Sequence, residues 1–416
     1  MESVLLPLIT SLARAGALDR AWALFEAEGL HERYDDPAVL AVKGRLLKDR
    51  AILADVEGRA AVLADAARAY AAADALDPQP YLLINVATLS ALQGDWDAAA
   101  RHADTVLDRL AGPVAETPYY IAATRAEACL LKGEGALAKA AMIEAIAASH
   151  DAWMDHASTL RQLGLILEAQ GEEAGWLDAF RPPRSLHFAG HLGIDPARCA
   201  ELRRDVDRIL GDQHIGFGYG ALAVGADIVI AEALLASGAE LHVILPTSID
   251  AFIAQSVRPY NPAWLPRFEA CIAAAASVRE VTGVSGGFEP MATALAGELA
   301  MGAALLNAAQ LQSRALQLLV IDEGDGPFGD GVSTARDGDL WLEGGHAQHL
   351  LVAPRTAPVG PSRGKAEGRG DYGLKALLHI GFAGTDRMDE GAFARALDTM
   401  IAPFWKRCGV LSPAPD

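Results

Sequence analysis

The stretch 216–246, GFGYGALAVGADIVIAEALLASGAELHVILP, decides how this chain folds. HIGFGYG (214–220) is short, apolar and ends in glycine, which predicts a strand running into a turn. Ala221 to Ser237 then reads as a helix, and LHVILP (241–246) as a buried strand. A strand, a helix and a second strand within some thirty residues form the unit from which parallel sheets are built. The pattern extends outward in both directions. SLHFAG (185–190) predicts a strand, and Pro196 to Leu210 a helix with Pro near its start. Further helices are expected around Phe252–Val257, Ala263–Ala276 and Pro290–Ser313. Between and after them come strands at SVREVTG (277–283), ALQLLVID (315–322) and HLLVAP (349–354). Residues 184–354 therefore predict a Rossmann-like α/β domain, its parallel sheet covered on both faces.

Residues 1–180 follow another rule. Val4, Leu5, Leu8, Ile9 and Leu12 recur at helical spacing, alanine is abundant, and β-branched runs are absent. YLLINVATLSALQGDWDAAARHADTVLDRL from Tyr81 and YYIAATRAEACLLKGEGALAKAAMIEAIAAS from Tyr119 resemble two copies of one helix–turn–helix unit. Gly94 and Gly133 follow their first helices, and small alanines line their second. An earlier stretch, AARAYAAADALDP, ends at Asp77-Pro78, where a second helix would stop. The pattern resembles a degenerate tetratricopeptide repeat; the plainer alternative is an irregular helical bundle. Arg181-Pro182-Pro183 marks the expected boundary. Residues 355–372 read as a linker rich in Pro, Gly and charge, and 373–416 as a short C-terminal tail.

Composition narrows the function. The chain has 416 residues and a formal net charge of −19, which disfavours bulk nucleic acid and anionic membrane as partners. The four cysteines, Cys129, Cys199, Cys271 and Cys408, form no CxxC pair, which argues against a zinc site or a disulfide framework. The N-terminus lacks the basic region and cleavage site of a signal peptide, and no apolar stretch reads as long enough to span a bilayer. A cytoplasmic location is the expectation.

Three segments fall at the carboxyl ends of expected strands, where α/β sheets bind ligands. The first is Gly190-His191 with Gly193 and Asp195. The second is the loop holding Gly216, Gly218, Gly220 and Gly225. The third is EGDGPFGDGVST after Asp322. Glycine lets backbone amides approach a phosphate, and it also permits tight strand–helix packing.

The run 216–246 resembles the SLOG superfamily, which includes the DNA-processing protein DprA and the LOG-type cytokinin-activating enzymes. That resemblance implies a nucleotide-like ligand surrounded by Gly218, Gly220, Gly225, Asp227, Glu232 and Pro246. FGDGVST is similar to the superfamily's second glycine loop through Gly329, Gly331, Ser333 and Thr334, although Asp330 and Val332 break its glycine pairs and the enzyme-type Glu is absent. The whole arrangement resembles TPR-S proteins, in which tetratricopeptide repeats precede a Rossmann-like sensor. WLDAFRPPRSLHFAGHLGID, the glycine loop and FIAQSV (252–257) carry that likeness. KALLHIGFAGTDRMDE in the tail resembles the opening strand of class III nucleotide cyclases, with Gly381 where their metal-binding Asp would stand.

Each residue has a plainer reading beside the functional one. Asp227 could hold a ribose hydroxyl or simply sit as an acid at a helix N-terminus. Glu232 could act as an acid/base group or be an ordinary helix acid. Gly190 and His191 could contact a ligand, or His191 could tie one loop to another. His187 and His242 read as residues of the sheet faces, Ser256 and Arg258 as surface groups near the ligand edge, and Trp96, Trp153 and Trp176 as helix packing. Asp322, Glu323 and Asp325 could form an oxygen cluster for a metal, or a solvated acidic loop. No nucleophile–base pair and no full metal-ligand set is present. The expectation is a sensor that binds a nucleotide or NAD-derived molecule in its α/β domain and a protein partner through its repeats. An N-glycosidase of the LOG kind, using Glu232 or Asp227, and a ligand-free scaffold are the alternatives. Self-association as an oligomer is left open.

Overall fold

The computed structural model describes residues 2–14, 16–53, 56–194, 198–260, 262–281, 290–322 and 332–354. The linker and the cyclase-like tail lie outside the described residues, as do Gly329 and Gly331.

Helices occupy the chain up to Gln170: α1 (Glu2–Arg14), α2 (Leu18–Ala27), α3 (Pro37–Leu53), α4 (Val56–Leu76), α5 (Pro80–Leu92), α6 (Trp96–Leu110), α7 (Pro118–Leu131), α8 (Gly135–Ala148) and α9 (Trp153–Gln170). Proline opens α3, α5 and α7, where its missing N–H costs nothing. Four helices end in one and the same turn. Gly16, Gly94, Gly133 and Gly171 take φ of +79°, +82°, +76° and +71°. The residue after each donates back to a carbonyl five residues earlier, as in Asp95 N–H to Ser90 (3.0 Å) and Glu134 N–H to Cys129 (2.9 Å). Only glycine enters this left-handed region without strain. From Gly94 to Gly133 is 39 residues, and Gly16 stands two such steps before Gly94. Buried positions keep the step too: Ala99, Ala103 and Val106 of α6 answer to Ala138, Met142 and Ala145 of α8. The pairs α1/α2, α3/α4, α5/α6 and α7/α8 are thus tetratricopeptide-like repeats, with α9 following the last.

A polar cluster joins four of these helices. Lys48 of α3 donates to Asn85 Oδ1 of α5 (2.7 Å) and Gln162 Oε1 of α9 (2.9 Å). The Gln162 amide donates in turn to Glu127 of α7 (2.7 Å), which also accepts from Thr88 of α5. Desolvation lowers the Lys48 pKa and raises that of Glu127, each against the attraction of the other.

The chain passes through a 3-10 turn at Ala174–Phe180 into the sheet: β1 (Arg184–Gly190), α10 (Cys199–Asp212), β2 (Ile215–Gly220), α11 (Ala226–Ala236), β3 (Glu240–Leu245), α12 (Ile249–Phe252), α13 (Trp264–Ala274), β4 (Ser277–Glu280), α14 (Pro290–Gln310), β5 (Ala315–Ile321), α15 (Val332–Glu343) and β6 (Ala347–Val352). All strands are parallel in the order β4-β3-β2-β1-β5-β6. The chain winds outward from β1 to β4, then returns to the other side of β1. Crossovers of one hand in opposite directions place their helices on opposite faces. Accordingly α10, α11 and α13 share one core with Leu186, Phe188 and Leu318. The other core unites Phe217, Tyr219 and Ile244 with Ala300 and Ala304 of α14 and Trp341 of α15.

The Rossmann-like expectation holds, with local corrections. The helix expected from Ala221 starts only at Ala226, because Gly225 has φ +100° and ψ −118°. The helix α15 was not anticipated. Among the described residues one helix, Ala292–Gln310, is long and apolar enough to cross a bilayer by length and composition, where the sequence had suggested none. Here it lies along β1, β2 and β3.

Lys48→Met removes the charged donor of two hydrogen bonds and the cation that faces Glu127 through Gln162, and should destabilise the helical part by about 1.5–3 kcal/mol. Replacing both, Lys48→Met with Glu127→Leu, should recover much of that loss. Urea denaturation of the two single variants and the double variant measures the coupling.

Candidate functional site

The direction of winding reverses between β1 and β5, and a doubly wound sheet opens a crevice at the carboxyl ends of two such strands. Gly190 and His191 stand at the end of β1, Ile321 and Asp322 at the end of β5, and the N-terminus of α11 lies beside them.

The glycines make this approach close. A Cβ on Gly190 would lie 2.3 Å from that of Ala226 and 3.1 Å from that of Val320. Gly225 caps α11 in a conformation that side chains avoid, and a Cβ there would sit 3.2 Å from the His191 carbonyl. The first turn of α11 is therefore seated directly on the end of β1. Asp227 follows, buried, with Oδ2 accepting from the Ala223 N–H (3.1 Å). Burial pushes its carboxyl up to about 8, against the N–H groups of Ala223 and Gly190, which lower it; the neighbouring Asp337 raises it further.

Asp337 lies in α15 on the opposite face of the sheet, also buried. Its Oδ2 would be 2.3 Å from a Cβ on Gly297 of α14, so this glycine makes room for the carboxyl. Burial pushes Asp337 up to about 7, and Arg336 opposes that. Asp227 Oδ1 and Asp337 Oδ1 are both buried without a hydrogen-bond partner. Thr334, one turn before Asp337, is buried as well.

The remaining sequence candidates divide. His191 is buried, its Nε2 2.6 Å from the Ala353 carbonyl, and its own N–H bonds the Val320 carbonyl (3.2 Å). The ring thus ties β1 to the end of β6. Gly218 faces α11, where a Cβ would meet Leu234 at 2.2 Å, and one on Gly220 would meet the Phe188 carbonyl at 2.6 Å. Both serve packing of the sheet. Pro246 ends β3 in a buried position. Glu232 is drawn away to α13, where Arg267 grips it at two points (2.7 and 2.6 Å) while stacking on Trp264. Val332 to Thr334 form the first turn of α15. Among the described residues no group of three or more His, Cys, Asp or Glu is placed to hold a metal.

Beneath the edge lies a feature that only register reveals. Ser277, His242, Tyr219, His187, Gln317 and Gln348 stand side by side across all six strands. Gln317 donates to His187 Nδ1 (3.0 Å) and to the Asp337 carbonyl (3.2 Å), and accepts from Gln348 (2.6 Å). Desolvation pushes the His187 pKa down to about 3, so its ring is neutral. This rung holds the backbone of α15, and with it Asp337, against β5.

The Tetratricopeptide Repeats-Sensor family model matches residues 3–90. No curated protein matches the chain. Among solved structures, a mutant O-GlcNAc transferase of Thermobaculum terrenum aligns at 12% identity over 76% of this chain and 75% of that one. Its TM-score of 0.21 is too low for a shared fold to carry any inference.

Both carboxyls have folded pKa values above the ordinary range. Their protonated forms favour the fold, so the stability they contribute is present in acid and is lost as pH rises from about 4 through 7 and 8. Asp227→Asn and Asp337→Asn should therefore raise Tm at pH 9 more than at pH 5, by ~2–4 °C for each kcal/mol recovered in a unit of this size. Thermal unfolding followed by circular dichroism across that range checks the sign.

Proposed function

We propose that the chain is a sensor whose α/β part binds a nucleotide-like small molecule at the carboxyl edge between β1 and β5, while its repeats engage a protein partner. The observation that carries this reading is Asp227, a buried carboxyl in the first turn of α11 with one oxygen that has no hydrogen-bond partner, beside the end of β1 where the winding of the sheet reverses. Buried polar atoms are seldom left unpaired without a functional reason. The family model over residues 3–90, which names a sensor, supports the same reading, as does the SLOG-like spacing of Gly225 and Asp227. For the partner, a groove of about 560 Å³ runs between α1, α3 and α5, lined by Leu6, Ala38, Val42, Tyr81 and Leu82 with Arg14 at its rim. Repeat arrays bind protein segments along such inner surfaces.

A second reading has one observation in its favour. A buried carboxyl raised to about 8 can donate a proton at neutral pH, as an N-glycosidase requires of its acid. Asp227 then carries that role alone, because Glu232 is held by Arg267.

Nucleotides screened by thermal shift decide whether the edge binds. A ligand at 100 times its Kd stabilises by about 2.7 kcal/mol, a rise of several degrees. Incubation with NAD and nucleoside monophosphates should release neither nicotinamide nor free base, and release of either would favour the enzyme.

A further inference from the structure

The polar row that crosses the sheet differs at its two ends. At His187 and Gln317 it is buried and tied to α15. At the β4 edge it reaches solvent, where Ser277 is exposed and His242 half-buried. Register sets His242 of β3 opposite Ser277 of β4, and their side chains meet, with Nδ1 2.8 Å from the Ser277 Oγ. Glu240 precedes His242 by two residues and so shares its face of β3. Its Oε2 stands 3.5 Å from Nε2, the other nitrogen of the ring. Tyr219 of β2 stacks on the imidazole with ring centres 4.7 Å apart and planes 9° apart, which fixes the plane in which both nitrogens point. His242 and Ser277 are 35 residues apart in the chain, so only strand pairing makes them a nucleophile and its base.

A hydroxyl, an imidazole and a carboxylate in that order are the parts of a nucleophilic site. The Glu240 carboxylate can only accept a hydrogen bond, so it favours the ring proton on Nε2. The Nδ1 lone pair then faces Ser277, whose hydroxyl donates to it. Partial burial lowers the His242 pKa against the pull of Glu240, and the neutral ring is free to take a proton. Arg279 lies two residues beyond Ser277 on the same face of β4, exposed and held by no ion pair among the described residues. Its charge is placed on the side where an oxyanion would form. We propose that Ser277 is a nucleophile, with His242 as its general base and Glu240 positioning the ring, and that the trio cleaves small carboxylic esters. Ser277 Oγ bonds to the carbonyl carbon as its proton passes to His242 Nδ1. The tetrahedral adduct expels the alcohol, which takes that proton, and acyl-Ser277 remains. Water then attacks the acyl carbon, giving a proton to His242; collapse releases the carboxylic acid, and the proton returns to Ser277 Oγ. The trio stands at an open edge of the sheet, so it acts on the acyl carbon and its leaving group and suits short, activated esters. It lies at the amino end of β4 and is independent of the ligand edge.

The test treats the full chain with a fluorophosphonate, which reacts covalently with activated serines, and locates the adduct by mass spectrometry. Ser277 should carry it. p-Nitrophenyl acetate should give a burst of one nitrophenol per chain, followed by slower turnover. Ser277→Ala should abolish both adduct and burst. His242→Gln should slow both by about 10²–10⁴-fold, the range for a lost general base. Glu240→Gln should lower kcat several-fold with KM unchanged, a split that loosened packing alone would not produce. Labelling of the unmutated chain stands even if a variant fails to fold. Absence of an adduct, an adduct on another residue, or hydrolysis that survives Ser277→Ala overturns this inference. None of these outcomes touches the sensor reading, which the nucleotide screen tests separately.

Discussion

The contact between Gly190 and Ala226 is the constraint on which the α/β part depends. Two backbones meet there at a distance that admits no side chain on the strand side, and Gly225 supplies the turn that lets α11 begin at that point. Because α11 is seated so closely, Asp227 enters the protein instead of facing water. Its carboxyl then closes the 221–225 loop through the Ala223 amide. A larger residue at 190 would lift the helix and undo the seat, the loop and the burial of the acid together. The glycines thus position a carboxyl more than they cradle a ligand.

That outcome explains what could and could not be read from the residues. Strands such as SLHFAG and ALQLLVID were legible because fully buried strands are continuously apolar, and the helices between them because their apolar positions recur at helical spacing. The glycine loop was legible as a close approach, but a sequence does not say what approaches. Gly218 proves to accommodate Leu234, and the helix begins five residues later than its apolar composition suggested. Gly94 and Gly133 were legible as turns, and the step of 39 residues extended once Gly16, two steps before Gly94, took the same backbone conformation, with Gly171 following Gly133 after 38.

Asp337 was illegible for a different reason. It stands in ARDGDLWLEG among other acids, a setting that normally means a solvated helix face. The alternation of Asp337 inward and Asp339 outward depends on where α15 starts. The polar rung was hidden more deeply still. His187, Gln317 and Gln348 lie in three separate segments, and each alone reads as a strand residue of no particular role. Only pairing in register turns them into one hydrogen-bonded row, because a slip of one residue in any strand would send its member to the other face. The rung costs apolar contact in the core, and in return the Asp337 backbone is bonded to β5.

The same face of the sheet also meets the repeats, and α14 touches both ends. Toward its start, Gly297 faces Asp337 and Glu298 holds Arg336. Toward its finish, Asn307 donates to Ser185 of β1 and, with Leu311, borders a cleft of about 320 Å³ against Asp151, Trp153 and Asp155. There Trp153 of α9 packs edge-on against Phe217 with ring centres 5.1 Å apart. Arg181 reaches the Gln312 carbonyl, and Ser313 donates to Pro182 (2.8 Å), closing the junction. A helix of 21 residues is about 30 Å long, so this one element borders both Asp337 at one end and the junction with the repeats at the other, and gives the two a single shared wall.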